Sequence, residues 1–381
     1  MTGKTEGFRM GAAFRAAHTV FGISQAALAK RVHYGGASIP HSEGGHRAAP
    51  EGFSRVAVDA CGAGDGLGAV FRQHTEPTGA KGWSLEEREP LDAEWLAVAR
   101  NLVKTLLHLD VATGGDDSAP LAIRAVATAR RQVATHPCRA GVEPDVHAVI
   151  GELAEVAGWL AYDAGLHDEV RRLNLAARHH LAVAGDASLD LLVVQNTAMH
   201  VADQGRPVEA LRLARNVLGS RSLSPRLECL FRIREARALA QAGADGEARR
   251  VWRKAVGLHQ DGTRDSDPAW AWWLTEGELA WHAGMVAGCA ENWSDAIENL
   301  MRCVELTPAR ARRGAYIHLA MLMRAQVLAG AWRDAEETLR LLWPHVGEVR
   351  SSRGRAIVRA ALDHARDVGS SQAAALRGVR I

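Results

Sequence analysis

Cysteine is scarce and scattered. The 381 residues hold five, at positions 61, 138, 229, 289 and 303. No two of them form a C-x-x-C clamp, which argues against a zinc knuckle or a dithiol redox centre and favours a reducing, cytoplasmic setting. Aromatic residues make up only 5% of the chain, and runs of alternating β-branched residues are few, so strands are not expected. No stretch reaches the ~18 apolar residues of a membrane-spanning helix. The amino terminus MTGKTEGFRMGAAFRAAH also lacks the unbroken apolar core of a signal peptide. Charge of one sign is missing too: 46 Lys+Arg face 44 Asp+Glu, a net +2, so the chain as a whole is not a polyanion binder, and any nucleic-acid contact must come from a local patch. Phosphate-loop, H-E-x-x-H and G-x-S-x-G motifs are absent, and the G-x-G-x-G-x-G run in CGAGDGLG follows a helical segment rather than a strand. The pairs His179–His180 and His136–Cys138 lack further ligands at metal spacing. No enzyme activity, cofactor or metal is therefore expected.

What remains is rich in Ala, Leu, Arg and Val, a composition that favours helix nearly throughout. Residues 8–74 read as short helical segments with glycine-rich joints. Residues 75–90 (TEPTGAKGWSLEEREP) read as a linker, residues 91–367 as regular helical stretches of about 13–20 residues, and 368–381 as a tail. Loops are expected at Thr113–Pro120 and Gln260–Pro268.

The long segment repeats itself. A glycine or its substitute recurs at Gly165, Gly205, Gly243, Glu291 and Gly330, at intervals of 40, 38, 48 and 39 residues. Seven residues before each stands Gly158, Ala198, Ala236, Gly284 or Met323; five after stands Val170, Ala210, Ala248, Ala296 or Ala335. Two helices joined by a tight turn must approach closely near it, which calls for small side chains at those offsets. The pattern resembles the tetratricopeptide repeat family, best in ELAWHAGMVAGCAENWSDAIENLMRCVELTP, although the intervals exceed that family's ~34 residues. The resemblance implies an all-α solenoid of helical hairpins. Within it, Trp270, Trp272, Trp273 and Trp281 read as one long helix, with Trp293 opening the next. They serve either inter-repeat packing or an aromatic wall of a concave groove. Asn196, His200, Arg234, Arg237, Trp270, Trp273 and Glu276 are the candidate groove residues for a peptide, small-molecule or protein effector.

The amino-terminal string SQAALAKRVHYGGASIPHSEGGHRAAP has Ser24 as an N-cap, a short helix, a glycine break and a second short helix. Through Ser24, Gln25, Leu28, Ala29, Val32, Ile39, Glu43, Gly45, Arg47 and Pro50 it resembles the repressor-like (XRE-type) helix-turn-helix family. LAKRVHY and GAGDGLGAVF further resemble its actinobacterial branch, in which such a domain precedes repeats. The resemblance implies a five-helix DNA-binding domain, double-stranded DNA as partner, a homodimer, and control of development or specialised metabolism. Gln25 would contact a phosphate and brace the second helix, and Gly36, Ala37, Ser38 and His41 would face base edges. Lys30, Arg31 and Arg47 would hold phosphates. Between Phe8 and Pro50 the charge is +4. Pro40 departs from the family pattern. If the recognition helix starts at Gly36, Pro40 breaks it at a cost of about 3 kcal/mol; if Ser38 caps it, Pro40 falls in the tolerated first turn, but only some two turns remain. The alternatives are a regulator that still reads DNA and an interaction adaptor whose helix-turn-helix no longer does.

Overall fold

The computed structural model describes residues 89–380 apart from Arg221. The chain divides into two compact units, Met1–Arg88 and Glu89–Ile381, and all that is described belongs to the second. The expected helix-turn-helix at 8–74, with Gln25, Lys30, Arg31, Gly36, Ala37, Ser38, His41 and Arg47, lies outside the described residues, as does the linker up to residue 88.

The described residues are helical, with a lone bridge between Leu91 and Cys138 and no strand among them. Helices α1 (Ala93–Thr113) and α2 (Gly115–Thr135) lead into five hairpins. These are α3 (Glu143–Asp163) with α4 (His167–Ala184), and α5 (Ala187–Asp203) with α6 (Pro207–Ser220). They continue with α7 (Pro225–Gln241) and α8 (Asp245–Gln260), then α9 (Glu276–Cys289) and α10 (Trp293–Glu305), then α11 (Arg312–Leu328) and α12 (Trp332–Glu348). Helix α13 (Ser352–Val368) and the short α14 (Ala374–Arg377) close the chain. Among the described residues no helix is long and apolar enough to cross a membrane.

Each hairpin turns in the same way. Gly165, Gly205, Gly243 and Gly330 have φ between +70° and +76°, and Glu291 at +55° is the one non-glycine residue of positive φ among those described. The residue after each returns its N–H to a carbonyl five residues back, as in Leu166 to Ala161 (2.8 Å) and Asn292 to Ala287 (3.0 Å). This is the helix-ending motif that needs a left-handed residue at one fixed position. The small residues flanking each turn are buried where predicted, with Val170, Ala210, Ala248, Ala296 and Ala335 almost fully enclosed. A Cβ on Gly284 would come within 2.6 Å of Leu300 Cγ.

Two expectations need correction. The loop at Thr113–Pro120 shrinks to Gly114, with Pro120 inside α2. Here α2 can start at once because partners distant in sequence take its first donors: Gly115 N–H goes to Asp163 Oδ2 (2.8 Å) and Asp116 N–H to the Arg350 carbonyl (2.9 Å). The tryptophan-rich helix is in fact two elements, a 3₁₀ turn at Ala269–Trp273 and α9, divided by Thr275, whose hydroxyl caps α9 on Glu278 N–H. Within the tail from 368, Ala373 and Leu376 are buried with α11–α13. The loop before Pro268 is present as expected.

The row of hairpins curls until its ends meet: α11 packs on α1, and α13 on α3. At this seam Arg313 is paired with Asp110 (Nε–Oδ1 2.9 Å), lies 3.8 Å from Asp163 and stacks over Trp159, whose Nε1–H donates to Asp110 Oδ2 (3.2 Å). Ser351 Oγ donates to Asp163 (2.9 Å), Asp116 accepts from Ser352 N–H (2.8 Å) and from Arg355, and Arg350 N–H reaches the Thr113 carbonyl (2.7 Å). Burial pushes the Asp110 carboxyl above the usual carboxylate range. Burial also opposes the charge on Arg313, but Asp110 and Asp163 outweigh it and raise its pKa.

Candidate functional site

The leading helices of the hairpins carry apolar residues around most of their circumference, yet each also brings polar groups inward. Glu155 of α3 accepts from Asn196 Nδ2 of α5 (2.7 Å). Gln195 Oε1 beside it accepts from Arg234 of α7 (2.7 and 3.1 Å), and Arg234 Nη1 reaches His282 Nε2 of α9 (3.0 Å). His318 of α11 packs against Trp281 of α9 at 4.9 Å between ring centroids. A second set runs nearer the turns: Tyr162 donates to Asp203, Arg237 pairs with Asp203, and the Arg353 guanidinium of α13 lies 4.5 Å from the Tyr162 ring centroid.

Burial sets the charges here. It lowers the pKa of His282 to about 4, with Arg234 adding to the effect and the Glu278 carboxylate, 3.1 Å from His282 Nε2, opposing it. His200 is held at about 4 by burial and by His167, whose Nδ1 lies 3.1 Å from His200 Nε2. Burial, with the Glu152 and Asp110 carboxylates adding to it, drives Glu155 up to about 7 against the hydrogen bond from Asn196. Among the described residues no group of three or more His, Cys, Asp or Glu could hold a metal ion.

The turn-side set borders a cavity of about 510 Å³, lined by α3, α5, α7, α9, α10, α11 and α13 and by His167 at the start of α4. Its polar wall includes Tyr162, Asp203, Arg237, Gln241, Arg324 and Arg353, and its apolar wall Met285, Trp293, Met321 and Ile357. Gly284, Gly288 and Ala296 open the space between α9 and α10. Burial pushes the Cys289 thiol up, so this lining residue is not a thiolate at neutral pH.

Of the groove residues expected from sequence, Asn196, His200, Arg234 and Arg237 belong to this interior, although only Arg237 lines the cavity. Trp270, Trp273 and Glu276 do not join them. Trp270 and Trp273 pack into a core with Leu230, Ile233 and Leu274, and Glu276 is exposed, paired with Arg302 at 2.9 Å. The physical reason is Thr275, which starts a new helix and turns the tryptophan segment away; Arg226 holds that segment by donating to the Ala271 and Leu274 carbonyls (2.8 and 2.5 Å). Trp281 is core as well, so packing describes Trp270, Trp273 and Trp281, whereas Trp272 is exposed and Trp293 lines the cavity. His180 is buried, with Nδ1 3.0 Å from His147 Nδ1.

Sequence reasoning missed Tyr162, Asp203, Arg324 and Arg353. The available signal was a charged residue interrupting a helix otherwise made of Ala, Leu, Val and Met, as Arg324 does in HLAMLMRAQVL.

The predicted consequence of Glu155 is a stability loss at alkaline pH. Its folded pKa of about 7 lies above the ordinary glutamate value of 4.5, so its contribution is full below 4.5 and is lost as pH rises through 7. At pH 8.5 Glu155→Gln should gain about 2–3 kcal/mol over wild type, and at pH 4.5 almost nothing. Urea midpoints at the two values check this; an equal gain at both would reject it.

No family model, curated protein or solved structure matches the chain.

Proposed function

We propose that the chain is a DNA-binding transcriptional regulator in which residues 89–381, a solenoid of tetratricopeptide-like hairpins, sense an effector. The observation carrying the sensing half is the roughly 510 Å³ cavity on the inner side of the hairpins, within the size range of small-molecule sites. The DNA-binding half is supported by the string from Ser24 to Pro50 and by the +4 charge between Phe8 and Pro50. An effector that binds two arrangements of the hairpins with unequal affinity shifts their populations, and through them the DNA affinity. The protein acts as a homodimer, since one domain of this charge makes too few phosphate contacts for useful affinity at physiological salt.

The second reading is a tetratricopeptide-like adaptor whose helix-turn-helix no longer binds DNA. It is favoured by the presence of Pro40 in the expected recognition helix, where a proline would remove a backbone hydrogen bond. Titration of the intact chain against a selected operator and a scrambled duplex, at two salt concentrations, separates the two. The regulator reading expects salt-sensitive affinity for both duplexes, weakened alike by Arg47→Ala, and better discrimination from Pro40→Ser with little change in salt slope. No salt-dependent affinity for any duplex would leave the adaptor.

A further inference from the structure

We propose that the cavity binds a small amphipathic organic acid, its carboxylate held by Arg324 and Arg353 and its apolar body lying against Met285, Met321 and Ile357. This rests on the sensing half of the reading above and names the class of effector.

The charge balance of the cavity carries the inference. Three arginines, Arg237, Arg324 and Arg353, line it against a single carboxylate, Asp203. Asp203 is already engaged, pairing with Arg237 and accepting from Tyr162. Among the described residues, Arg324 and Arg353 have no carboxylate within ion-pair distance, and Arg353 lies over the face of the Tyr162 ring. Guanidinium groups are costly to hold in a recess without a counter-charge, and their planar donors match a carboxylate in a two-point bond.

Unmet hydrogen bonding at the same wall points the same way. Arg237 is only 4% exposed, and its Nε has no acceptor. The opposite wall is apolar and rich in methionine, whose flexible thioethers adapt to an aliphatic or aromatic body. Inorganic phosphate would leave that wall bare, and a neutral lipid would leave the arginines unmatched. Burial lowers the Arg353 pKa from its ordinary value, Arg313 and Arg237 adding to the strain on its charge; a bound anion relieves this.

The test is calorimetric titration of the full chain with three probes of equal length: octanoate, octan-1-ol and octylammonium. Octanoate should bind at least about tenfold more tightly than octan-1-ol, and octylammonium should not bind measurably. Arg324→Gln and Arg353→Gln should each weaken octanoate by about tenfold to a hundredfold, the loss of one charge-assisted bond. Neither should change affinity for the alcohol. Among the described residues Arg324 belongs to no ion pair, so its loss should leave the fold of residues 89–381 intact, and a thermal melt of each variant verifies this. Arg340→Gln, on the exposed side of α12, should change nothing. Equal affinity for acid and alcohol, or no binding of either, overturns the proposal. The titration contains no DNA, so its failure leaves the DNA-binding half standing, and a failure to bind DNA leaves this result untouched.

Discussion

Lowering the pH from 6.5 to 4 should remove most of the stability of residues 89–381. Burial holds His180, His200, His282 and His318 at pKa values of about 4, against 6.5 for an ordinary histidine. A folded pKa below the unfolded one means that the unfolded chain takes up protons first. The contribution of each group is then complete above 6.5 and is lost as pH falls through 4. For His282, fully enclosed beside Arg234, the difference is about 3 kcal/mol. His180 and His200 contribute less, because each touches a second histidine that shares the incoming charge. Together these losses are comparable with the ~5–15 kcal/mol that holds a typical domain folded. Urea midpoints measured at pH 7, 5.5 and 4.5 should fall steeply, and His282→Gln should flatten the fall. A midpoint unchanged across that range would show the buried histidines to be energetically idle.

The second large effect belongs to the seam. Arg313→Ala should cost about 3–5 kcal/mol, because it leaves Asp110 and Asp163 buried near each other without their cation. The cost is chiefly that of stranded carboxylates rather than of a lost attraction. Replacing Asp110 by Asn in the Arg313→Ala background should therefore recover a good part of it, and a double-mutant cycle measures the coupling. A loss under about 1 kcal/mol in the single variant would mean that water reaches the seam and that the ion pair behaves like a surface pair.

The sequence made the turns legible and the seam invisible. Gly165, Gly205, Gly243 and Gly330 stand out because one backbone geometry recurs and only one position in it needs a left-handed residue. Even Glu291 was located, by register rather than by residue type. The inward polar residues Asn196, His200, Arg234 and Arg237 were legible as polar positions on leading helices. The tryptophans misled because Thr275 and Glu278, a T-x-x-E helix start, were read through rather than as a boundary. Asp110, Asp163, Arg313 and Arg353 carry no local signal. Arg313 meets Asp110 across 203 positions, and helical periodicity reports only what lies within a few turns.

That long span changes how the molecule comes apart. In an open row of repeats each unit leans only on its neighbours, and the terminal units fray first, as a zipper opens from its ends. Here the outermost helices are fastened to each other, through Arg313 and Asp110 and again through Ser352 and Asp116, 236 positions apart. A ring of this kind has no end from which to unzip, so the first hairpin to loosen must release the clasp as well. Assembly is correspondingly late, because the clasp can form only after the intervening helices have brought its two halves within reach.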